Sequence, residues 1–377
     1  LRTQILRSDI ATHAHQHGDR PLPDVIGPQC LACGYCNHGC RFGHHLSVDR
    51  TYLRDAKAAG ARVWANCPVE RLVLSRGPGG MRVSGVMLGR RKRDVVVQAD
   101  AVVLAAGPLG SPAVVLRSLD AAPRLRGLPS VRSGQIGGGL GFNYGTPVVA
   151  RWGDDLPRPG WDGLQVAFLA TKPGDERFIL ENGFVPPGVM APVLPGVGRD
   201  HRRWMGHYSR LAMCVNTIGG HSEGSVDRRG KVSYAIGGAA MGTIHDSLAA
   251  MVDAYLHAGA VEVALAGLVQ PQADGDSFDP SWKGKPGQIL EKVRRLAPSA
   301  EHLALASGHP QGGLRMNRDP ERGAVGEDYR LHGLDNVYVC DSSLFPTTIT
   351  LNPQWLVMGL ATVAGDRIRA GILADAG

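Results

Sequence analysis

Four cysteines, Cys30, Cys33, Cys36 and Cys40, crowd a short stretch near the start of the sequence, while Cys67, Cys214 and Cys340 stand apart. The spacing Cys-x2-Cys-x2-Cys-x3-Cys is that of the bacterial ferredoxin run, in which short turns let thiolates converge on an iron–sulfur cluster. In two-cluster ferredoxins the fourth cysteine of that run serves the other cluster, and Arg41 stands where the run has proline. Four thiolates can also close a tetrahedral zinc site, although zinc ligands usually come as two separated pairs. The spacing therefore predicts Fe–S ligation first, zinc or reduced thiols second and disulfides third. His44 and His45 lie close by, either beside the ligands or as plain surface positions. The three scattered cysteines read as ordinary buried residues.

Towards the C-terminus three further residue types could do chemistry: His309 before Pro310, Asp341 before Ser342, and Asn352 before Pro353. Each has a plain reading when taken alone. A His-Pro pair in a loop is usually structural, and Asn352-Pro353 reads as a helix N-cap followed by proline at the first helical position. Thr347, Thr348 and Thr350 read as a β-branched loop wall rather than as substrate contacts, and His207, His221 and His245 show no ligand spacing.

The elements that must position these residues follow from hydrophobic periodicity and turn residues. Residues 51–59 predict a short helix, and 62–66 and 69–75 predict strands. The stretches 82–88 and 95–98 read as strands on either side of a solvated hairpin tip, Arg90-Arg91-Lys92-Arg93. An apolar strand over 101–106 ends in Gly107 and leads into a helix over 110–119. Strands are predicted at 165–170, 211–218 and 231–235, helices at 244–258 and 287–295, then a strand at 336–341 and a closing helix at 354–370. Strands joined by helices indicate an α/β (α+β) nucleotide-binding domain.

The strand Val102-Val103-Leu104-Ala105-Ala106-Gly107 with Gly110-Ser111-Pro112 resembles an element of the glucose-methanol-choline (GMC) family of FAD-dependent oxidoreductases. Small residues there let backbone approach a dinucleotide, and Pro112 suits a first helical turn. The segment His309-Pro310-Gln311-Gly312-Gly313-Leu314-Arg315-Met316 is similar to the family's His-Pro-x-Gly-Gly/Thr-x-Arg-Met. Asp341-Ser342-Ser343-Leu344-Phe345-Pro346 resembles its Asp-x-Ser-x-Phe-Pro, and Asn352-Pro353 follows at the family's spacing before a final helix. Residues 47–59 leading into Cys67-Pro68-Val69 fit the same pattern. The resemblance covers residues 30–145 and 305–377 and is only architectural between them.

The resemblance implies a GMC-type FAD-binding domain, discontinuous and lacking its N-terminal βαβ, plus a substrate domain on an antiparallel or mixed sheet with helices. The expected division is 1–148 for the FAD-binding part with the cysteines, 149–307 for substrate binding, and 308–377 for the return to the FAD-binding domain. Alcohol oxidation needs a base for the hydroxyl proton while hydride leaves the carbon, and a neutral imidazole suits that task. By the resemblance His309 is that base, and Asn352 bonds the same hydroxyl and orients it. Val69, Ala106, Gly107, Ser111, Asp341, Ser342, Asn352 and Pro353 are the expected FAD contacts, Val69 near the adenine end. Some bacterial sugar dehydrogenases of the family carry an Fe–S cluster. That implies a [4Fe-4S] or [3Fe-4S] cluster on Cys30, Cys33, Cys36 and Cys40, relaying electrons from flavin. His44-His45 stands where such relatives often have Ala-Lys.

Family members open with strand–Gly-x-Gly-x-x-Gly–helix, which places the FAD pyrophosphate on a helix N-terminus. No such element occurs in this sequence, and Gly137–Gly141 resembles the family's later Gly-rich loop. The missing segment, roughly 150–200 residues by usual domain size, would come from the same chain or from another polypeptide.

With 377 residues, 43% hydrophobic and 20% charged, the chain has the bulk for two domains and is not a disordered protein. The net charge of +7 has no dense basic run beyond the hairpin tip, which argues against a nucleic-acid partner. No apolar run reaches membrane-span length and the first residues form no signal peptide, so the expectation is a soluble, cytoplasmic protein. The expected partners are a small-molecule alcohol and an electron acceptor, a protein or a small molecule. The 6% aromatic share favours a sugar, aminosugar or other polyol over a greasy substrate. The alternatives are an O2-using alcohol oxidase with structural cysteines, or a non-catalytic Fe–S electron-transfer subunit.

Overall fold

The computed structural model describes residues 2–5, 30–31, 33, 35–77, 80–89, 95–153, 168–172, 174–183, 185–266, 281–283, 285–295 and 303–376. Its strands are β1 (Arg2–Ile5), β2 (Val69–Gly77), β3 (Gly80–Leu88), β4 (Val95–Gln98), β5 (Val102–Leu104), β6 (Gly138–Gly145), β7 (Pro147–Arg151) and β8 (Phe168–Lys172). They continue with β9 (Asp175–Gly183), β10 (Leu211–Gly219), β11 (Gly224–Val226), β12 (Val232–Ser233), β13 (Glu262–Leu265), β14 (Ser281–Lys283), β15 (Ala306–Gln311) and β16 (Val337–Val339). The longer helices are α1 (Tyr52–Ala58), α2 (Gly107–Ala121), α3 (Arg199–Gly206), α4 (Gly238–His257), α5 (Pro286–Arg295) and α6 (Gln354–Ala376). None among the described residues is long and apolar enough to cross a membrane.

The chain divides into two units, one of Leu1–Val63, Gly145–Ile218 and Gly237–Ala306, the other of Trp64–Tyr144, Gly219–Ile236 and Ser307–Gly377. In the first unit the strands run β1-β8-β9-β10-β7-β13-β14, each pair antiparallel. Helix α4 buries Ile244, Leu248, Met251, Val252 and Leu256, a stripe at helical spacing. Val149, Met190, Trp204, Leu211, Met213 and Ala264 form one core of this unit. Beside it, the fully buried Glu262 accepts from Arg151 at 2.9 Å and twice from Arg203, at 2.9 and 2.8 Å. A buried carboxylate is tolerated only when paired in this way.

The second unit carries the antiparallel sheet β2-β3-β4 and the parallel pair β5-β16. Its core includes Leu72, Val83, Leu104, Val114, Val115, Leu314, Val337 and Val339. The buried Asn336 pins this unit: its Oδ1 accepts from Val83 N at 2.8 Å, and its Nδ2 donates to Val83 O and Asp100 O, each at 2.7 Å. A mixed α/β fold with an antiparallel sheet is therefore present, as the sequence predicts.

Some local expectations are corrected. Residues 62–66 form no strand, because the chain turns at Asn66, which takes φ +57. Helix α2 starts at Gly107 rather than 110, since the amides of Ala106 and Gly107 are held by the Ser111 hydroxyl and the Asp341 carboxylate. Pro112 consequently lies inside the helix, past its first turn. Helix α4 starts six residues before the predicted 244, extended by the helix-forming Ala239 and Ala240. The hairpin strands are present, but Arg90, Arg91, Lys92 and Arg93 fall outside the described residues.

Candidate active site

The carboxyl ends of β5 and β16 are adjacent, and the chain turns sharply beyond each. At the first turn Gly107 adopts φ +74, a conformation that glycine reaches without steric cost. Its amide donates to Asp341 Oδ2 at 2.9 Å, and Ser111 Oγ donates to the same oxygen at 2.6 Å while accepting from Ala106 N at 2.9 Å. The other carboxylate oxygen, Asp341 Oδ1, accepts from Ser343 N at 2.8 Å. The aspartate thus locks two turns together and spends its charge on protein donors.

A backbone ladder joins the second turn to the histidine segment. Gly312 N donates to Ser342 O at 3.0 Å, Leu314 N to Ser343 O at 3.1 Å and Met316 N to Leu344 O at 2.9 Å. Ser342 Oγ adds a bond to Pro310 O at 3.2 Å. Gly312 is required here: a Cβ on it would stand 2.2 Å from Gly139 O. The buried Gln311 accepts from Ile349 N at 2.9 Å through its Oε1, extending the tie towards residue 350.

His309 is half-buried on β15. Its Nδ1 lies 2.8 Å from Asn143 Oδ1, and its backbone N donates to Ser307 Oγ at 3.1 Å. Burial pushes the imidazole below the ordinary histidine range, which keeps it neutral near pH 7. Asn143 is buried, and its Nδ2 donates to Leu351 O at 2.9 Å. One side chain therefore touches His309 and the residue just before Asn352. Asn352 itself is exposed, and Pro353 accepts the first helical bond from Val357 N at 2.9 Å. Since α6 begins at Gln354, proline sits one position earlier than expected and Asn352 precedes the cap.

The other expected residues are placed as follows. Ala105 and Ala106 are exposed and a Cβ on Gly107 would meet no atom within 4 Å, so residues 105–107 present only small side chains to open space. That floor fits a dinucleotide, which needs close backbone approach. Ser111 is fully buried beneath it. Val69 opens β2, packs its side chain on the core and accepts from Arg117 Nη2 at 3.3 Å. Thr348 bonds Ser222, Oγ1 to Oγ at 2.8 Å, consistent with a loop wall.

The four clustered cysteines, Cys30 to Cys40, and Cys214 lie in the other unit, whereas Cys67 and Cys340 share the unit of His309. All seven are half-buried thiols. Cys36 opens a single 3₁₀ turn, Gly39 follows at φ +94, and Gly43 N bonds Cys40 O at 3.0 Å. Among the described residues no three His, Cys, Asp or Glu side chains are placed to hold a metal ion. As placed, Cys30, Cys33, Cys36 and Cys40 therefore do not form the expected cluster site, and Cys36 and Cys40 each take part in a tight turn. Burial works against ionisation of Cys40, yet the N–H groups of His45, His44, Phe42 and Gly43 hold its thiol below the usual range. A cavity of about 620 Å³ opens beside Cys36, Cys40, Arg41, His45 and Arg50.

Two residues went unremarked in the sequence, Asn143 and Glu262. Asn143 stands two positions after the Gly137–Gly141 run, and its partner His309 lies 166 positions away.

The N-terminal pattern described as GMC oxidoreductase matches residues 17–138, and its C-terminal counterpart matches residues 246–361. An uncharacterized GMC-type oxidoreductase of Mycobacterium tuberculosis is 31% identical over 363 residues, covering 94% of this chain and 52% of the relative. A long-chain-alcohol oxidase of Arabidopsis thaliana is 24% identical, covering 89% of this chain and 46% of the relative. The chain thus spans about half the length of these relatives. Among solved structures, pyridoxine 4-oxidase from Mesorbium loti superposes with a TM-score of 0.57 at 18% identity, over 88% of this chain and 63% of that one. A formate oxidase of Aspergillus oryzae, examined for FAD modification, gives 0.53 at 14%, over 81% and 60%. These two likenesses concern the fold.

Proposed function

The chain belongs to the GMC oxidoreductase family, and from that premise we propose that it oxidises the CH–OH group of a small-molecule alcohol with FAD. The observation that carries the reading is the joining of three distant segments at one place: residues 105–111, 309–316 and 341–344 are locked by Asp341 and the backbone ladder. A scaffold protein has no need to gather them.

His309 takes the hydroxyl proton, as a neutral imidazole can, while Asn352 orients the same hydroxyl. FAD, when bound, would accept the hydride from the carbon. Ala106 and Gly107 would form its floor, with Ser111, Asp341 and Ser342 holding that floor in shape. Val69, Asn352 and Pro353 are further contacts on the family pattern. The dinucleotide-binding strand–helix is to be supplied by the same or another chain; Val103, 45% exposed in the middle of β5, supports an additional neighbour there. A polyol or sugar remains the proposed substrate class, on the low aromatic share.

No electron step is routed through the cysteines, given their arrangement. That same observation favours O2 over an Fe–S relay as the second reading for the acceptor, in line with relatives named oxidases. The experiment is anaerobic flavin bleaching in the flavin-loaded protein, with sugars, polyols and long-chain alcohols in turn. Bleaching by one class, lost in His309→Ala with flavin retained, is the expected result. Bleaching by none, or no effect of His309→Ala, would sink the reading. Peroxide yield on readmitting air separates oxidase from dehydrogenase.

A further inference from the structure

We propose that Asn143 is the positioning residue that fixes His309 as its Nδ1–H tautomer, leaving Nε2 as the basic nitrogen. The inference rests on the reading of His309 as the base only for its catalytic consequence; the tautomer itself follows from hydrogen-bond accounting. Asn143 Nδ2 lies 2.9 Å from Leu351 O and 3.4 Å from Thr350 O. Two carbonyls can be met only by the amide NH2, so the carbonyl oxygen of Asn143 is the atom turned to His309. Oδ1 carries no proton and stands 2.8 Å from Nδ1. The hydrogen between them therefore belongs to Nδ1, and in a neutral imidazole Nε2 then holds the lone pair.

The pair is held rigidly. Asn143 is 1% exposed, and its own carbonyl accepts from Ser307 Oγ, which in turn accepts from His309 N at 3.1 Å. The groups hydrogen-bonded around the ring and its backbone, Asn143, Ser307 and Gln311, are all uncharged. When Nε2 takes the hydroxyl proton the ring becomes an imidazolium, and the Nδ1–H···Oδ1 bond becomes charge-assisted and stronger. The same amide holds the backbone before Asn352, so base and hydroxyl-orienting residue share one anchor.

The test reads the tautomer directly. In flavin-loaded protein labelled with ¹⁵N-histidine, the His309 signals are assigned by their loss in His309→Gln. The expected spectrum near pH 7.5, about one unit above the ordinary histidine pKa, has the proton on Nδ1. A proton on Nε2 in the wild type overturns the proposal, whatever the protein oxidises. If the Nδ1–H form is seen and no alcohol is oxidised, the proposed function fails and the tautomer assignment stands.

Kinetics test the consequence. Asn143→Ala should lower kcat by about 10²-fold, the low end of what a positioned base contributes, with KM little changed. Asn143→Asp keeps the acceptor for Nδ1 but loses the NH2 that holds Leu351 O and Thr350 O, so kcat should recover only in part. Its carboxylate favours the imidazolium, so the acid limb of the pH profile should move to higher pH. A merely structural role would depress both variants alike and leave the limb in place, and that result overturns the positioning role.

Discussion

Ser111 Oγ donates a 2.6 Å hydrogen bond to Asp341 Oδ2, across 230 positions of sequence. With the bonds from Gly107 N and Ser343 N, it makes one carboxylate the fastener of both turns at the strand ends. Hydrogen bonds to a charged acceptor contribute about 1.5–3 kcal/mol each, and removing the carboxylate also strands buried donors. Asp341→Ala is expected to cost about 2–4 kcal/mol in urea unfolding and to abolish flavin retention, within the usual range for a broken network. Asp341→Asn keeps one acceptor oxygen and should lose about half as much. Stability unchanged to within about 0.5 kcal/mol in Asp341→Ala, the level of an ordinary surface substitution, would show that the fastener carries no load.

The two glycines of the site separate packing from cofactor binding. A Cβ at Gly312 would stand 2.2 Å from the backbone oxygen of Gly139, so Gly312→Ala must move one of two main chains. A loss of more than about 2 kcal/mol is expected. At Gly107 the left-handed φ of +74 costs alanine about 1–2 kcal/mol, but the new methyl meets only open space. Gly107→Ala should therefore fold and lose flavin, measured as bound FAD per protein. Full flavin occupancy in this variant would refute the floor assigned to residues 105–107.

Those glycines also show what the sequence could reveal. Strands β3, β4 and β10 were visible because apolar residues bounded by turn signals are a local property. Gly107, His309, Asp341 and Asn352 were visible because their neighbours are distinctive in sequence. Asn143 was not, since its meaning comes from His309, 166 positions away, and nothing near it announces a partner. Glu262 was hidden for the same reason: its guanidinium partners lie 111 and 59 positions away. The cysteine run shows the converse, a spacing strong in sequence that forms no metal-holding group among the described residues.

The cysteines differ in reactivity by their surroundings. Cys214 is pushed up to about 12 by burial, with Glu181 adding to the effect, whereas backbone N–H groups hold Cys40 low against its burial. Only the thiolate is nucleophilic. Iodoacetamide at neutral pH should modify Cys40 well before Cys214, read by peptide mass spectrometry, and iron in the anaerobically purified protein should fall well below stoichiometric. Equal labelling rates would overturn the first expectation, and a full complement of iron and acid-labile sulfide would restore the relay.

Histidine burial sets the pH dependence of folding. His309 is lowered by burial, and His207 by burial and then by Arg151, Arg210 and Arg203, against Glu262. The unfolded imidazoles titrate near 6.5. Above that pH both states are neutral and the contribution of these groups is intact. As pH falls below about 6.5 the unfolded chain takes up protons that the folded chain refuses, so stability drops until the lowered folded pKa values are passed. Urea midpoints should therefore fall from pH 7 to 5, with a shallower slope in His309→Gln. The acid limb of kcat/KM should lie below the ordinary histidine value, because the same burial keeps the base neutral further into acid. A limb above 6.5, or a slope unchanged by His309→Gln, would mean that burial does not lower the His309 imidazole in the folded protein.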